Sequence, residues 1–253
     1  MSTELQNLFR NTTQSGMSRQ SVDLLIQNLD GQAALGCIGA QIDELNTDDV
    51  TLVALILDES SSMENVRNDV IDAFNTMTRA LADSKSRDSI LLSAWKFSDE
   101  SRLLFNYTPI EQVKDLTLAQ YAPNGMTALY DATLDGITGA VGYGQDLRNA
   151  GIRTRSIIVV LSDGGDNSSR TTAANIRTVS EDLIKQEIYT LAFIGLGDEA
   201  YFSGIASGMG FPEVLTSTNT GSEIRKALHL VSGSVIRASQ NRINSSNNSF
   251  FSF

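Results

Sequence analysis

The chain of 253 residues has a single thiol, Cys37. One cysteine excludes an intramolecular disulfide and any cysteine-built zinc site, and the usual fate of such a residue is to be buried as a small hydrophobe. Histidine is equally scarce. His229 stands alone among apolar neighbours in a segment with helical spacing, so there is no imidazole cluster for a softer metal. Positive charge is also short: 19 Lys and Arg against 30 Asp and Glu give a net charge of −11. That argues against a sequence-independent nucleic-acid binder, which needs clustered Lys and Arg, and it disfavours an anionic membrane surface. No apolar run approaches the about 20 residues that span a bilayer. Residues 1–20 lack the charged-then-apolar pattern of a secretory signal, so the expected setting is the cytoplasm. N-x-[ST] triplets at Asn11, Asn106 and Asn167 are then background. Nucleotide and hydrolase signatures are missing too. There is no G-x-x-x-x-G-K-[ST] and no G-x-S-x-G around Ser60, and Gly142 with Gly144 make only G-Y-G.

What is present is enough apolar content for a full core, 41% of residues, arranged in two alternating patterns. The runs 51–57, 89–97, 155–162 and 188–196 are continuous and apolar, as expected of strands buried on both faces, and 213–217 is a further short strand. Between them, 63–84, 127–151, 171–186, 199–208 and 221–238 carry apolar residues at helical spacing. Segment 101–107 follows 89–97 across a short polar turn, which predicts one antiparallel edge strand. The predicted fold is therefore α/β: a doubly wound, mostly parallel six-stranded sheet with one antiparallel edge strand and helices on both faces. The predicted organisation is an N-terminal arm over 1–49 with a short helix at 20–29, a domain over 50–238, and a Ser/Asn-rich tail over 239–253. Segment 31–45 fits strand or helix equally. Residues 1–19 and the tail are expected to be poorly ordered and trimmed by protease. The terminal Phe250, Phe251 and Phe253 either dock on the domain or present an adhesive end to a partner.

In a sheet of this kind ligands bind beyond the carboxyl ends of the strands, where the order reverses. Three oxygen-rich loops lie there: 58-DESSS-62, 124-NGMT-127 and 162-SDGGDNSS-169. Asp58, Ser60 and Ser62 are spaced to turn into one concavity, Thr127 adds a hydroxyl and Asp163 a carboxylate. Five oxygens from three loops suit a hard cation such as Mg²⁺. Asp166 reads as a loop or cap residue, and Thr127 has helix capping as a competing role.

The D-x-S-x-S of Asp58, Ser60 and Ser62, the later Thr127, and Asp163 within L-S-D-G resemble the von Willebrand factor A domain with its metal-ion-dependent adhesion site, in the form found in intracellular bacterial proteins. The resemblance runs over about residues 50–238 and includes 125-GMTALYDA-132 and 194-IGLGDEAYFSGIAS-207. It implies a cation, Mg²⁺ with Mn²⁺ or Ca²⁺ as alternatives, held directly by the two serines. The threonine is direct in the ligand-competent state, and the two aspartates act mostly through water. It also implies a protein partner that presents Asp or Glu to the ion. Glu59 departs from the need for neutral ligands and is expected to offset part of the ion's charge. The resulting expectation is a non-enzymatic interaction module. Two rivals stand beside it: a metal-dependent phosphohydrolase built on Asp58, and a self-assembling protein that oligomerises through its terminal segments.

Overall fold

Six strands form one sheet: β1 (Asp49–Asp58), β2 (Ile90–Phe97), β3 (Ser101–Pro109), β4 (Arg153–Ser162), β5 (Tyr189–Leu196) and β6 (Glu213–Ser217). They come from a computed structural model that describes residues 3–29, 31–240 and 249–251. The order is β3-β2-β1-β4-β5-β6, with β3 antiparallel to β2 and every other pair parallel, as the sequence predicts. The chain winds outward from β1 to β3 on one side. It then returns to place β4 against the other side of β1, so the direction of winding reverses between the two.

The helices are α1 (Thr3–Asn11), α2 (Arg19–Gln27), α3 (Gly31–Gly36), α4 (Arg67–Ala82), α5 (Leu129–Asn149), α6 (Ala173–Ile184), α7 (Glu199–Gly208) and α8 (Gly221–Ser239). Because successive strand residues face opposite ways, β1 feeds two separate cores. Leu52, Ala54 and Ile56 pack with residues of α5, α6 and α7, while Val53, Leu55 and Leu57 pack with residues of α4 and α8. All six are fully buried, which is why the run shows no polar alternation.

Four local expectations change. Residues 63–84 are not one α-helix: Ser61–Val66 is a 3₁₀ turn and the α-helix begins at Arg67. Segment 31–45 resolves as α3 followed by a short 3₁₀ turn at Ile42–Glu44. The stretch before residue 19, expected to be poorly ordered, forms α1, and Phe9 is fully buried in the core that α5 shares. At the other end, Phe250 is buried, with Phe251 packed beside it against the α4–α8 core. Its backbone N–H donates to Glu213 at 2.9 Å and its carbonyl accepts from the Ser234 hydroxyl. The docking alternative therefore holds for these two, while Phe253 and the segment 241–248 lie outside the described residues.

The glycine-rich centre of α5 owes its composition to this packing. A Cβ at Gly139 would stand 2.9 Å from the carbonyl oxygen of Gly36, so α3 sits directly on α5. Cys37 follows α3 and is buried there, its thiol pushed up to about 12 by burial.

Candidate metal centre

Asp58 is the last residue of β1 and Ser162 the last of β4, neighbouring strands on either side of the winding reversal. Asp58 is completely buried. One of its carboxylate oxygens accepts the backbone N–H of Ser60 at 2.8 Å and the other accepts the Ser162 hydroxyl. The Ser60 and Ser62 hydroxyl oxygens are 3.0 Å apart, and Ser62 donates to Asp163 Oδ1 at 2.6 Å. A Cβ at Gly164, next to Asp163, would lie 3.7 Å from Thr127 Oγ1. The structure thus gathers all five predicted oxygen donors, Asp58, Ser60, Ser62, Thr127 and Asp163.

Each loop has a local reason for its shape. The first is tied to the second where the Ser61 hydroxyl donates to the Gly125 carbonyl at 3.0 Å and Asn124 N–H donates to the Glu59 carbonyl at 2.9 Å. Gly125 turns the second loop with a left-handed φ of 75°, and the Asp99 carboxylate fills the space where its Cβ would be. Thr127 does not cap α5. The residue before the helix is Ala128, which has no capping side chain. The first-turn N–H of Tyr130 instead goes to Asp166 Oδ1 at 3.3 Å, so Asp166 is a cap supplied by the third loop.

Four residues that shape the site escaped the sequence reading as site residues. Ser162 orients Asp58, and Asn219, from the loop between β6 and α8, donates to Asp163 Oδ2 at 2.8 Å. Asn167 accepts the Thr127 N–H at 2.7 Å. Lys96 takes Glu59 out of the site: the Glu59 carboxylate is held by the ammonium at 3.0 Å and by the Ala122 N–H. The expectation that Glu59 offsets an ion's charge is corrected accordingly, since its charge is already spent on Lys96. Only the L-S-D-G pattern carried any signal for these four, and it pointed to Asp163 rather than to Ser162.

Electrostatically the site is anionic and uncompensated. Burial pushes the Asp58 carboxyl up to about 6, with the nearby Asp163 adding to the rise and the bonds from Ser162 and Ser60 opposing it. Burial likewise raises Asp163 against the bonds from Ser62 and Asn219. Among the described residues no Lys, Arg or His is ion-paired with either aspartate. Nor do three His, Cys, Asp or Glu side chains converge anywhere among them, so the donors at the site are mainly hydroxyls. Neutral hydroxyls beside two carboxylates fit a hard, oxygen-seeking cation and do not fit a thiophilic or imidazole-bound one.

The comparisons agree with this fold. The model of the von Willebrand factor type A domain matches residues 53–228, more than half of the chain. A mutant of the PilB minor pilin from Streptococcus sanguinis is 14% identical, with a TM-score of 0.55, covering 78% of this chain and 64% of that one. The pilus adhesin SpaC from Lactobacillus rhamnosus GG, in an open conformation, is 14% identical with a TM-score of 0.53, covering 76% and 30%. The chain therefore spans less than two thirds of either protein, and at these identities the likeness is one of fold. No curated protein matches the chain. Among the described residues no helix is long and apolar enough to cross a membrane. From the match over residues 53–228, and from the site and sheet order it coincides with, the chain belongs to the von Willebrand factor type A domain family.

Proposed function

We propose that the chain is a divalent-metal-dependent interaction module that captures a carboxylate of a protein partner at this site. The observation that carries the reading is that two aspartates, one buried and one half-buried, are bonded to the Ser162 and Ser62 hydroxyls and, among the described residues, to no cationic side chain. Ser60, Ser62 and Thr127 would hold the cation, Mg²⁺ or in its place Mn²⁺ or Ca²⁺, with Asp58 and Asp163 fixed behind them. A hard cation bound there supplies positive charge that neutral hydroxyls leave under-neutralised, and an Asp or Glu side chain is the natural complement. Ser162 and Asn219 keep the two aspartates oriented, while Lys96 keeps Glu59 from competing. Residues 50–238 form the binding unit and the preceding segment braces one face of the sheet.

A phosphohydrolase would need a positioned acid or base and a cation for the phosphoryl group. Lys96 is committed to Glu59, and Arg170 lies 3.6 Å from Asp131 rather than beside Asp58. The test presents immobilised peptides containing Asp or Glu, and their Asn or Gln counterparts, to the chain with Mg²⁺ or with EDTA. The same preparation is assayed for phosphate release from generic phosphoesters. Capture that needs both metal and carboxylate is expected. Metal-dependent phosphate release, abolished by Asp58→Asn and without any capture, would install the enzyme instead.

A further inference from the structure

Thr127 reaches the site from a loop, and its hydroxyl makes no hydrogen bond among the described residues, so the backbone must set its place. A threonine side chain is stiff about its first torsion, so holding the Thr127 backbone also holds its hydroxyl. Two hydrogen bonds from one residue do this. Asn167 Oδ1 accepts the Thr127 N–H at 2.7 Å, and Asn167 N–H donates to the Thr127 carbonyl at 3.0 Å. Asn167 is four residues past Asp163, so the clamp fixes a donor of the second loop against the carboxylate of the third.

Met126 N–H donates to Asp99 Oδ1 at 2.9 Å and Ala128 N–H to the Ser98 carbonyl at 2.7 Å, so the flanking residues are held to the β2–β3 turn. Neither bond takes the N–H or carbonyl of Thr127 itself. Asp131 N–H donates to the Ser169 hydroxyl at 3.0 Å, and the Asp131 carboxylate accepts Arg170 N–H at 3.0 Å and Thr171 N–H at 2.8 Å. These bonds, with that from Tyr130 to Asp166, join the third loop to the first turn of α5 without touching Thr127.

We infer that Asn167 is a positioning residue of the metal centre, fixing the Thr127 hydroxyl beside Asp163; the inference rests on the metal reading above. The N-x-[ST] triplet at Asn167 is thereby explained by a structural task and not by a glycan. Its amide oxygen makes the bond, so Asn167→Asp keeps an acceptor for Thr127 N–H while Asn167→Ala removes it.

The experiment is calorimetric titration of Mg²⁺ into the wild-type chain, Asn167→Ala, Asn167→Asp, Thr127→Ala and the Asn167→Ala/Thr127→Ala double variant, with metal-free melting of each. Asn167→Ala is expected to weaken Mg²⁺ by about 10-fold, the lower end for loss of an outer-shell partner, and Asn167→Asp to recover most of that. In the Thr127→Ala background Asn167→Ala should change nothing further, because the residue acts through the lost hydroxyl. Unchanged Mg²⁺ affinity in Asn167→Ala overturns the inference, as does an equal loss in both backgrounds. Both outcomes leave the proposed function standing. A wild-type chain that binds none of Mg²⁺, Mn²⁺ and Ca²⁺ overturns both.

Discussion

Lys96 donates to the Glu59 carboxylate at 3.0 Å, and Glu59 is the residue next to Asp58. The pair is well buried, with side-chain exposures of 16% and 6%, and the ammonium also donates to the Gln120 carbonyl at 2.6 Å. A cation thus lies one residue away from the candidate metal centre and is neutralised before it reaches it. Lys96→Met leaves Glu59 buried without its partner, which typically costs about 3–5 kcal/mol. Urea unfolding should show that loss, and replacing Glu59 with Met in the same chain should restore much of it. A midpoint unmoved by Lys96→Met would mean the pair is solvated.

Metal binding should separate from folding. Asp58 is buried beside Asp163 with no cationic partner among the described residues, so Asp58→Ala removes an electrostatic burden from the metal-free chain as well as a proposed support of the metal. With Mg²⁺ at 100 times its dissociation constant the wild-type chain should gain about 2.7 kcal/mol. Asp58→Ala should gain none, and its metal-free melting should be no lower than that of the wild type. Equal Mg²⁺ stabilisation of both chains would place the ion elsewhere.

The pH response of the N-terminal segment follows from Asp182 on α6. Burial pushes its carboxyl up, but the Ser18 N–H at 2.9 Å, the Ser21 hydroxyl at 2.7 Å and the Lys185 ammonium outweigh that and hold it below the usual carboxylate range. The folded state therefore binds this proton less readily than the unfolded state. Its stabilising contribution is complete above the ordinary value of about 3.9 and is lost as pH falls through the depressed folded value. Hydrogen exchange in α2 should accelerate in that acid window. Asp182→Asn should flatten the response, whereas an unchanged acid limb in that variant would assign it to other carboxylates.

Both ends of the described chain should carry stability. Phe9 is fully buried and Phe250 is 4% exposed, each against a different face of the sheet. Phe→Ala at a buried site costs about 3–5 kcal/mol, so Phe9→Ala should lower the unfolding midpoint strongly. Phe250→Ala should do so too and make the tail more open to protease. Losses under about 0.5 kcal/mol, the range of surface substitutions, would show that the ends are peripheral.

Strands and long helices were legible because each is a long-period signal: β1 and β4 are continuous apolar runs, and α4 to α8 repeat at helical spacing. The five residues proposed as oxygen donors could be named because they sit at fixed offsets from those runs, and the structure brings their loops together. What stayed hidden depended on partners distant in sequence. Glu59 looked like a site charge until Lys96, 37 residues on, was seen to meet it. Asn167 and Asn219 are ordinary loop amides whose roles come from hydrogen bonds 40 and 56 residues away in the chain. The order of α1 was missed for another reason: Leu5, Leu8 and Phe9 do stand at helical spacing, but in a nine-residue segment, and only the place Phe9 fills in the core that α5 shares makes that spacing count.

The bridge between Gly39 and Tyr107 has a consequence for association. β3 is an edge strand, and an exposed edge offers unpaired N–H and C=O groups to any passing chain. Here Gly39 pairs with Tyr107, and the Ala40 N–H donates to the Tyr107 carbonyl at 2.8 Å, so the protein's own N-terminal segment occupies part of that edge. The opposite edge, β6, is only five residues long and begins at Glu213, whose carboxylate is already bonded to Ser249 and Phe250. Strand addition is thus obstructed along part of β3 by a piece of the same chain, while at β6 the C-terminal residues bond only the Glu213 side chain. A second copy that added a strand at this part of β3 would first have to lift the Gly39–Ala40 segment away.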